Sequence, residues 1–156
     1  MWQHLLPSCA RKILLMSDYK EVLQKNGVLS FTPGGISMWP IISNRADTVI
    51  IKPVEGKLKK YDVAFYTRPS GQYVLHRVMR VNPDSYDMCG DSQTAVEKAV
   101  PAQAVFGIME GYYKNKKYID CNKNFFYKLF VRFWSCSVFW RRCLIKGLSI
   151  LGIRAK

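Results

Sequence analysis

The chain is poor in the residues that bind metals or form disulfides. It has two histidines and five cysteines, and no two cysteines stand in a C-x-x-C spacing. An odd number of cysteines without that spacing argues against a disulfide framework and against a Cys/His zinc site. The cysteine usage therefore favours a reducing compartment.

Long apolar runs are also missing. The longest stretch without a charged side chain, residues 26–44, has the length of a membrane-spanning helix, but it contains Pro33, Pro40 and a glycine pair. Because proline interrupts helices, this stretch predicts a loop and a strand. No membrane-spanning helix is expected.

The N-terminus does not have the pattern of a signal peptide. Arg11 and Lys12 follow the apolar stretch, whereas a signal peptide places its positive charges before it. We interpret residues 1–16 as an N-terminal arm. The true start is either Met1 or Met16, in which case residues 1–15 are an overextended start.

Acidic side chains are almost absent from the last third of the chain. Residues 111–156 contain eleven Lys or Arg and one acidic residue, whereas residues 1–110 contain 13 basic and 10 acidic residues. The formal net charge of +13 over 156 residues therefore comes mainly from the C-terminal segment. An apolar share of 49% is nevertheless enough for a folded core.

Short strands follow one short helix in the predicted organisation. Ser17 and Asp18 are typical of a capped helix start, and Gly27 of its end. Clusters of Gly, Pro, Asn and Ser then separate β-branched and aromatic runs at residues 28–32, 48–52, 63–67, 73–81 and 105–110. We predict a mainly β domain over residues 17–113.

Residues 114–156 have a different character. Lys114 to Lys117 is interpreted as a basic link. Residues 125–153 carry a basic stripe of Lys, Arg and Ser at spacings of three or four, apart from one gap of seven, beside Phe, Trp and Leu. This pattern predicts one or two basic amphipathic helices, which suit a membrane interface but are too short in apolar length to span it. The alternatives are packing on the β domain, a solvated positive face and nucleic-acid binding.

The best candidate for chemistry is Ser37, in the segment Gly34-Gly35-Ile36-Ser37-Met38-Trp39-Pro40. Glycine allows unusual torsions, and Pro40 favours an extended backbone before it, so the serine is well presented. A serine nucleophile needs a base. The predicted strand 73–81 supplies His76, which alternation places on the inward face.

Four sequence boxes in this order resemble the signal peptidase I superfamily, which includes the LexA-type repressor autoproteases. They are GGISMWP around Ser37, the strand pair TVIIK and KYDVAFY, LHRVMRV around His76, and CGDS around Asp91 followed by VFGIME. The resemblance spans residues 28–112 and implies a signal peptidase/LexA-like coiled β fold. The histidine is similar to that of the endoplasmic-reticulum and archaeal type, which uses Ser and His.

The resemblance implies roles at four positions. Ser37 is the nucleophile, His76 is the general base, and Asp91 orients the imidazole or supports the site. Glu97 lies near the position at which such proteins often carry a further acidic residue. No metal and no cofactor is implied. Without the resemblance, Ser37 and Asp91 would be ordinary turn residues and His76 an ordinary core histidine.

Oxyanion and substrate contacts are assigned by the same resemblance to Gly35, Ser37, Met38 and Pro40. Bacterial members often have a serine two positions before the nucleophile, where this chain has Gly35, so backbone N–H groups must hold the oxyanion. The lysines that flank the strands are interpreted as solvated side chains and not as the base: Lys52, Lys59 and Lys60.

The resulting hypothesis is a serine endopeptidase that cleaves a signal or leader peptide after small residues. An unperturbed histidine pKa near 6.5 predicts activity that rises from about pH 6 to pH 7.5. The expected partners are a peptide or preprotein and a membrane surface, which residues 114–156 bind peripherally on the cytoplasmic side. The alternatives are a basic membrane- or nucleic-acid-binding module with a vestigial peptidase fold, and a LexA-type protein that cleaves itself.

Overall fold

The computed structural model describes residues 19–136 and the backbone of 138–150, with the side chains of 140–147. Eight strands form one antiparallel sheet, which confirms the prediction of a mainly β protein. The strands are β1 (Leu29–Phe31), β2 (Thr48–Pro53), β3 (Val63–Thr67), β4 (Tyr73–Val81), β5 (Ser85–Cys89), β6 (Glu97–Pro101), β7 (Val105–Lys114) and β8 (Lys117–Asp120).

Strand β3, in the middle of the sheet, separates two apolar cores. The strand order is β1-β2-β7-β3-β4-β5-β6, and β8 pairs with β7. Along β3, Val63 and Phe65 face one core, whereas Ala64 and Tyr66 face the other, because alternate side chains leave a strand on opposite sides. His76 of β4 is the register partner of Ala64 and therefore faces the second core.

Helices precede and follow the sheet. Residues 19–26 form α1. Gly27 ends this helix: its φ is +68°, and its N–H donates a hydrogen bond to the Leu23 carbonyl at 3.0 Å. Helix α2 (Phe125–Ser135) begins at Asn124, whose side chain accepts a hydrogen bond from a backbone N–H of the first turn at 2.8 Å. Helix α3 (Val138–Ile150) follows.

The predicted basic link at Lys114 to Lys117 is wrong, because this segment is a hairpin turn. Lys114 ends β7, Lys117 begins β8, and Asn115 and Lys116 between them have φ values of +50° and +65°. Two successive residues with positive φ match the twist of the strands that they join, and asparagine tolerates this conformation. The sheet therefore extends to Asp120, beyond the predicted boundary at residue 113.

Some predictions fall on residues that are not described. The N-terminal arm of residues 1–16, the helix cap at Ser17 and Asp18, and residues 151–156 are in this group. Within residues 19–136 and 138–150, no helix is long and apolar enough to cross a membrane.

Candidate active site

The loop after β1 places Ser37 beside a cleft of about 390 Å³, which β4 lines from the other side. Gly35 has a φ of +116°, a conformation that residues with a Cβ rarely adopt, and its N–H donates to Oδ1 of Asn44 at 2.8 Å. The glycine thus fixes the turn that leaves Ser37 half-buried at the cleft.

The turn Gly90-Asp91-Ser92 holds the Ser37 loop. The N–H of Ser92 donates to the Ser37 carbonyl at 2.9 Å, and the Ser92 hydroxyl donates to the Ile36 carbonyl at 2.7 Å. A Cβ at Gly90 would lie 2.6 Å from the Ser37 carbonyl oxygen. Only glycine allows this approach, which joins the first and the last sequence box.

Pro40 supports the loop and does not line the cleft. Lys114, at the end of β7, donates from Nζ to the carbonyls of Pro40 and Ile41, both at 2.9 Å, and lies 3.8 Å from the Asp47 carboxylate. The structure therefore does not bear out the substrate contact predicted for Pro40. The role of Lys114 was not predicted, because the sequence placed this residue in a link.

Two backbone N–H groups at the predicted nucleophile, Ser37, have no partner in the described part of the chain. The N–H groups of Ser37 and Met38 donate to no group in the described part of the chain, whereas that of Gly35 is bonded to Asn44. Ser37 and Met38 both line the cleft. Free donors that point to the reacting carbonyl are the usual means of stabilising a tetrahedral oxyanion.

His76 lines the same cleft as Ser37 and is 4% exposed. The structure thus brings the predicted nucleophile and the predicted base together, although no hydrogen bond joins them in the described chain. The imidazole Nδ1 lies 3.2 Å from the Tyr66 hydroxyl. Its Nε2 makes no hydrogen bond with a described residue and is not sealed from solvent.

A hydrogen-bonded chain behind His76 ends in a carboxylate. The Tyr66 hydroxyl donates to Oε2 of Glu97 at 2.8 Å, so its oxygen accepts from His76 Nδ1. Arg68 donates to the Glu97 carboxylate at 2.6 to 3.1 Å, and these bonds lower the pKa of Glu97. This network assigns the ring proton to Nδ1 and leaves Nε2 as a proton acceptor.

Glu97 was predicted to lie near the position of a further acidic residue, but Tyr66 was not predicted as a partner of His76. The signal for Tyr66 was present, because it follows Ala64 by two residues on the same face of β3. Only the register, in which Ala64 lies opposite His76, shows that the hydroxyl reaches the imidazole.

Burial lowers the pKa of His76 from 6.5 to about 4, and the positive charge of Arg68 contributes, while Glu97 and Asp91 act in the opposite direction. The predicted pKa near 6.5 is therefore wrong, because the imidazole lies within a core. The folded-state value is below the unfolded one. The free energy of unfolding should thus be highest above about pH 6.5 and fall as the pH drops toward about 4.

We predict that the acidic limb of the activity profile lies near pH 4. Only the neutral imidazole can accept the proton of Ser37, so kcat/KM should rise through about pH 4 and be level from about pH 6 to 8. The measurement is kcat/KM on a peptide substrate across this range, with circular dichroism to verify that the protein stays folded. An acidic limb near pH 6.5 in folded protein would contradict the prediction.

Asp91 makes no hydrogen bond with His76 in the described structure. Its Oδ1 accepts from Arg77 Nε at 2.8 Å and its Oδ2 from Nη2 at 2.6 Å, and both side chains are fully buried. Arg77 follows His76 on β4 and therefore leaves the opposite face of the strand. Asp91 is thus not placed to orient the imidazole. It supports the site, because it fixes the turn that carries Ser92.

The C-terminal helices hold the same turn. Trp134 of α2 donates from Nε1 to the Asp91 carbonyl at 2.8 Å, and Arg141 of α3, which is fully buried, donates from Nη1 to the Gly90 carbonyl at 2.9 Å. The tail therefore packs on the β domain. This role of Arg141 was not predicted, although its position outside the basic stripe was a signal.

The remaining candidates lie away from the cleft. Lys52 pairs with Glu110 at 2.6 Å, whereas Lys59 and Lys60 line a different pocket. No lysine lines the cleft of Ser37 in the described structure. Among residues 19–136 and 138–150, no group of three His, Cys, Asp or Glu side chains could hold a metal ion.

The cleft thus combines a presented serine, a neutral histidine and free N–H groups, with Tyr66 and Glu97 behind the histidine. Comparisons with known proteins add no evidence for or against an activity. The chain matches no family model, no curated protein and no solved structure.

Proposed function

We propose that this protein is a serine endopeptidase of the signal peptidase type. The observation that carries the proposal is that Ser37 and His76 line one cleft, with His76 Nε2 free and Nδ1 bonded to the chain of Tyr66 and Glu97. Acyl transfer by a serine needs this set of nucleophile, base and orienting group. The four boxes that resemble the signal peptidase I superfamily contain the nucleophile and the base.

In the proposed mechanism, Ser37 Oγ attacks the scissile carbonyl as His76 Nε2 accepts its proton. The N–H groups of Ser37 and Met38 hold the oxyanion, and the imidazolium then donates its proton to the leaving amine. Water attacks the acyl-enzyme with His76 again as base, which releases the second product and restores Ser37. The contact between hydroxyl and imidazole forms as the peptide displaces water from the cleft.

The substrate binds along the first half of β4. Residues 73–76 pair with β3 on one side, but pairing with β5 begins only at Arg77, so their second edge is open within the described sheet. The same residues line the cleft beside Ser37. An extended peptide can add to this edge as a further strand. The family resemblance adds the preference for small residues before the cut and a signal or leader peptide as substrate.

Digestion of a peptide library, followed by mass spectrometry of the new termini, tests the proposal. We expect cleavage after small residues, with small residues also favoured at the third position before the cut. No cleavage by folded protein, with or without anionic vesicles, would contradict the proposal and favour the binding module. Cleavage restricted to the protein's own chain would favour a self-cleaving LexA-type protein.

We predict that Tyr66→Phe lowers kcat by about tenfold to a hundredfold with little change in KM. The ring still fills the core, but His76 Nδ1 loses the hydroxyl that fixes its tautomer. Steady-state kinetics of the variant measure the effect. The matched control is Tyr86→Phe, which removes a buried hydroxyl that accepts from the Leu58 N–H in the same core. Equal kcat values for both variants would contradict a positioning role for Tyr66.

We also propose that the protein lies on a membrane surface through α2. Five large apolar side chains of this helix are exposed, and we call them the aromatic face of α2: Phe125, Phe126, Leu129, Phe130 and Phe133. Exposed Lys128 and Arg132 lie beside them. Aromatic and basic side chains together suit a helix in the interface of an anionic membrane, and anionic lipid is characteristic of the cytoplasmic leaflet.

We predict that Phe126→Ser reduces partitioning into anionic vesicles by about tenfold, because the most exposed side chain of the face, at 79%, no longer enters the interface. Vesicle flotation measures the effect. The control is Val28→Ser, which removes an apolar side chain that is 43% exposed outside α2. Equal flotation of the two variants would contradict the role of α2. Point variants are preferred to truncation, since truncation would remove Trp134 and Arg141 from the 90–92 turn.

A further inference from the structure

A second pocket, of about 330 Å³, lies between α2 and the sheet, apart from the cleft of Ser37. We call it the α2 pocket. The turn before β3, the middle of β7 and the segment after β8 form its walls, and α2 closes one side. The charged residues in its lining are Lys59, Lys60, Asp62, Lys128 and Arg132.

The charge of this lining is strongly positive. Four cationic residues and one carboxylate, that of Asp62, line it, and Asp62 Oδ2 already accepts a hydrogen bond from the Lys59 backbone N–H at 2.7 Å. Lys60 Nζ lies over the Tyr61 ring, 5.0 Å from its centroid. The ion pairs of the described residues use none of the four cations, and neither do the side-chain hydrogen bonds. Burial raises the pKa of the neighbouring Cys121 thiol to about 11, so it adds no negative charge at neutral pH.

The arrangement of α2 relates this pocket to the aromatic face. Val131 and Trp134 are buried against the domain, whereas the aromatic face is exposed. Lys128 and Arg132 are one helical turn apart and lie on the flank between the buried and the exposed sides. Both residues line the α2 pocket. The pocket therefore lies next to this flank of the helix that we place in the membrane interface.

We propose that the α2 pocket binds the phosphate headgroup of an anionic lipid while the aromatic face of α2 enters the same membrane. This inference rests on the proposed membrane association and adds the chemistry of the partner. Lys and Arg side chains without a carboxylate partner around a concave site are the usual ligands of phosphate oxygens. The lipid is favoured over a free phosphate because the exposed apolar side chains adjoin the cations.

The test uses full-length protein that carries Ser37→Ala, so that binding is measured without cleavage. The pocket variant is Lys60→Gln/Arg132→Gln. Its matched control is Arg80→Gln/Lys98→Gln, which removes the same two charges from exposed positions on β4 and β6. Flotation compares vesicles of phosphatidylcholine with vesicles that also contain phosphatidylglycerol, and circular dichroism verifies the fold of each variant.

We expect the pocket variant to bind the anionic vesicles about tenfold or more weakly than the parent, and the control to differ by less than about threefold. On neutral vesicles the two should be equal. Equal binding of both variants to anionic vesicles would overturn the inference. If inorganic phosphate alone bound to the parent and not to the pocket variant while vesicle binding stayed equal, the pocket would be a site for free phosphate and not for a lipid headgroup. Failure of the parent itself to float would refute the membrane association, whereas failure of the peptidase proposal would appear only in cleavage assays.

Discussion

Ser37→Ala will abolish peptide cleavage while the protein stays folded. Loss of the nucleophile removes the covalent route, so kcat/KM should fall by about 10⁴-fold or more. The hydroxyl is half-buried and makes no hydrogen bond with a described residue, so the free energy of unfolding should change by less than about 1 kcal/mol. Cleavage of the preferred library peptide and denaturant unfolding of both proteins measure the two quantities.

Ser43→Ala is the matched control for this variant. It makes the same change in the same loop, six residues after the nucleophile, at a half-buried position whose backbone N–H and not its hydroxyl holds Asp47 at 2.7 Å. This control should retain most of the activity. Equal turnover by Ser37→Ala and the parent protein would end the proposal of a serine peptidase, and unfolding of Ser37→Ala would give Ser37 a structural role.

The strands that the sequence predicted correctly are those with strong apolar patterns. Both β3 and β4 were predicted with their observed bounds, because they are largely apolar and limited by turn residues. Strands β5, β6 and β8 were not predicted. Each carries at least one charged side chain within five residues or fewer, which weakens the apolar pattern, and β6 carries Glu97, Lys98 and Pro101, as is common in a strand at the edge of a sheet.

The site was predictable only as far as local motifs reach. Motifs identified Ser37, His76 and the Gly90-Asp91-Ser92 turn, but they do not say which neighbour a buried carboxylate will choose. The alternation of β4 placed Arg77 on the face opposite His76, but only the structure shows that this face is buried as well, so that the arginine needs an acceptor. That acceptor is Asp91, so the partner of the imidazole had to come from elsewhere, through Tyr66.

The pKa of His76 and the role of the tail depend on packing between distant segments. A histidine on a strand face keeps an ordinary pKa if that face is solvated, and only the second core shows that it is buried. In the tail, the helical pattern predicted α2 and α3. It did not predict that Trp134 and Arg141 reach the 90–92 turn, because these bonds run to backbone carbonyls and not to a recognisable motif.

Asp91→Asn will destabilise the protein by about 3 to 5 kcal/mol, the usual cost of removing one partner of a buried ion pair. Both Arg77 and Asp91 are fully buried, so the guanidinium would keep its charge without a carboxylate, and an amide N–H would face it. Urea unfolding followed by circular dichroism measures the loss. Cleavage should decline in step with the folded fraction, because the Tyr66 and Glu97 chain still orients His76.

Asp87→Asn is the matched control for the loss of stability. Asp87 lies on the neighbouring β5, is half-buried and accepts hydrogen bonds from Asn82 and from the Ala99 backbone N–H, but has no ion pair in the described structure. Its substitution should cost less than about 1.5 kcal/mol, the typical value of such hydrogen bonds. If Asp91→Asn instead kept its full free energy of unfolding and lost kcat, Asp91 would act on the imidazole after all, and the Arg77 pair would not be the reason for its position.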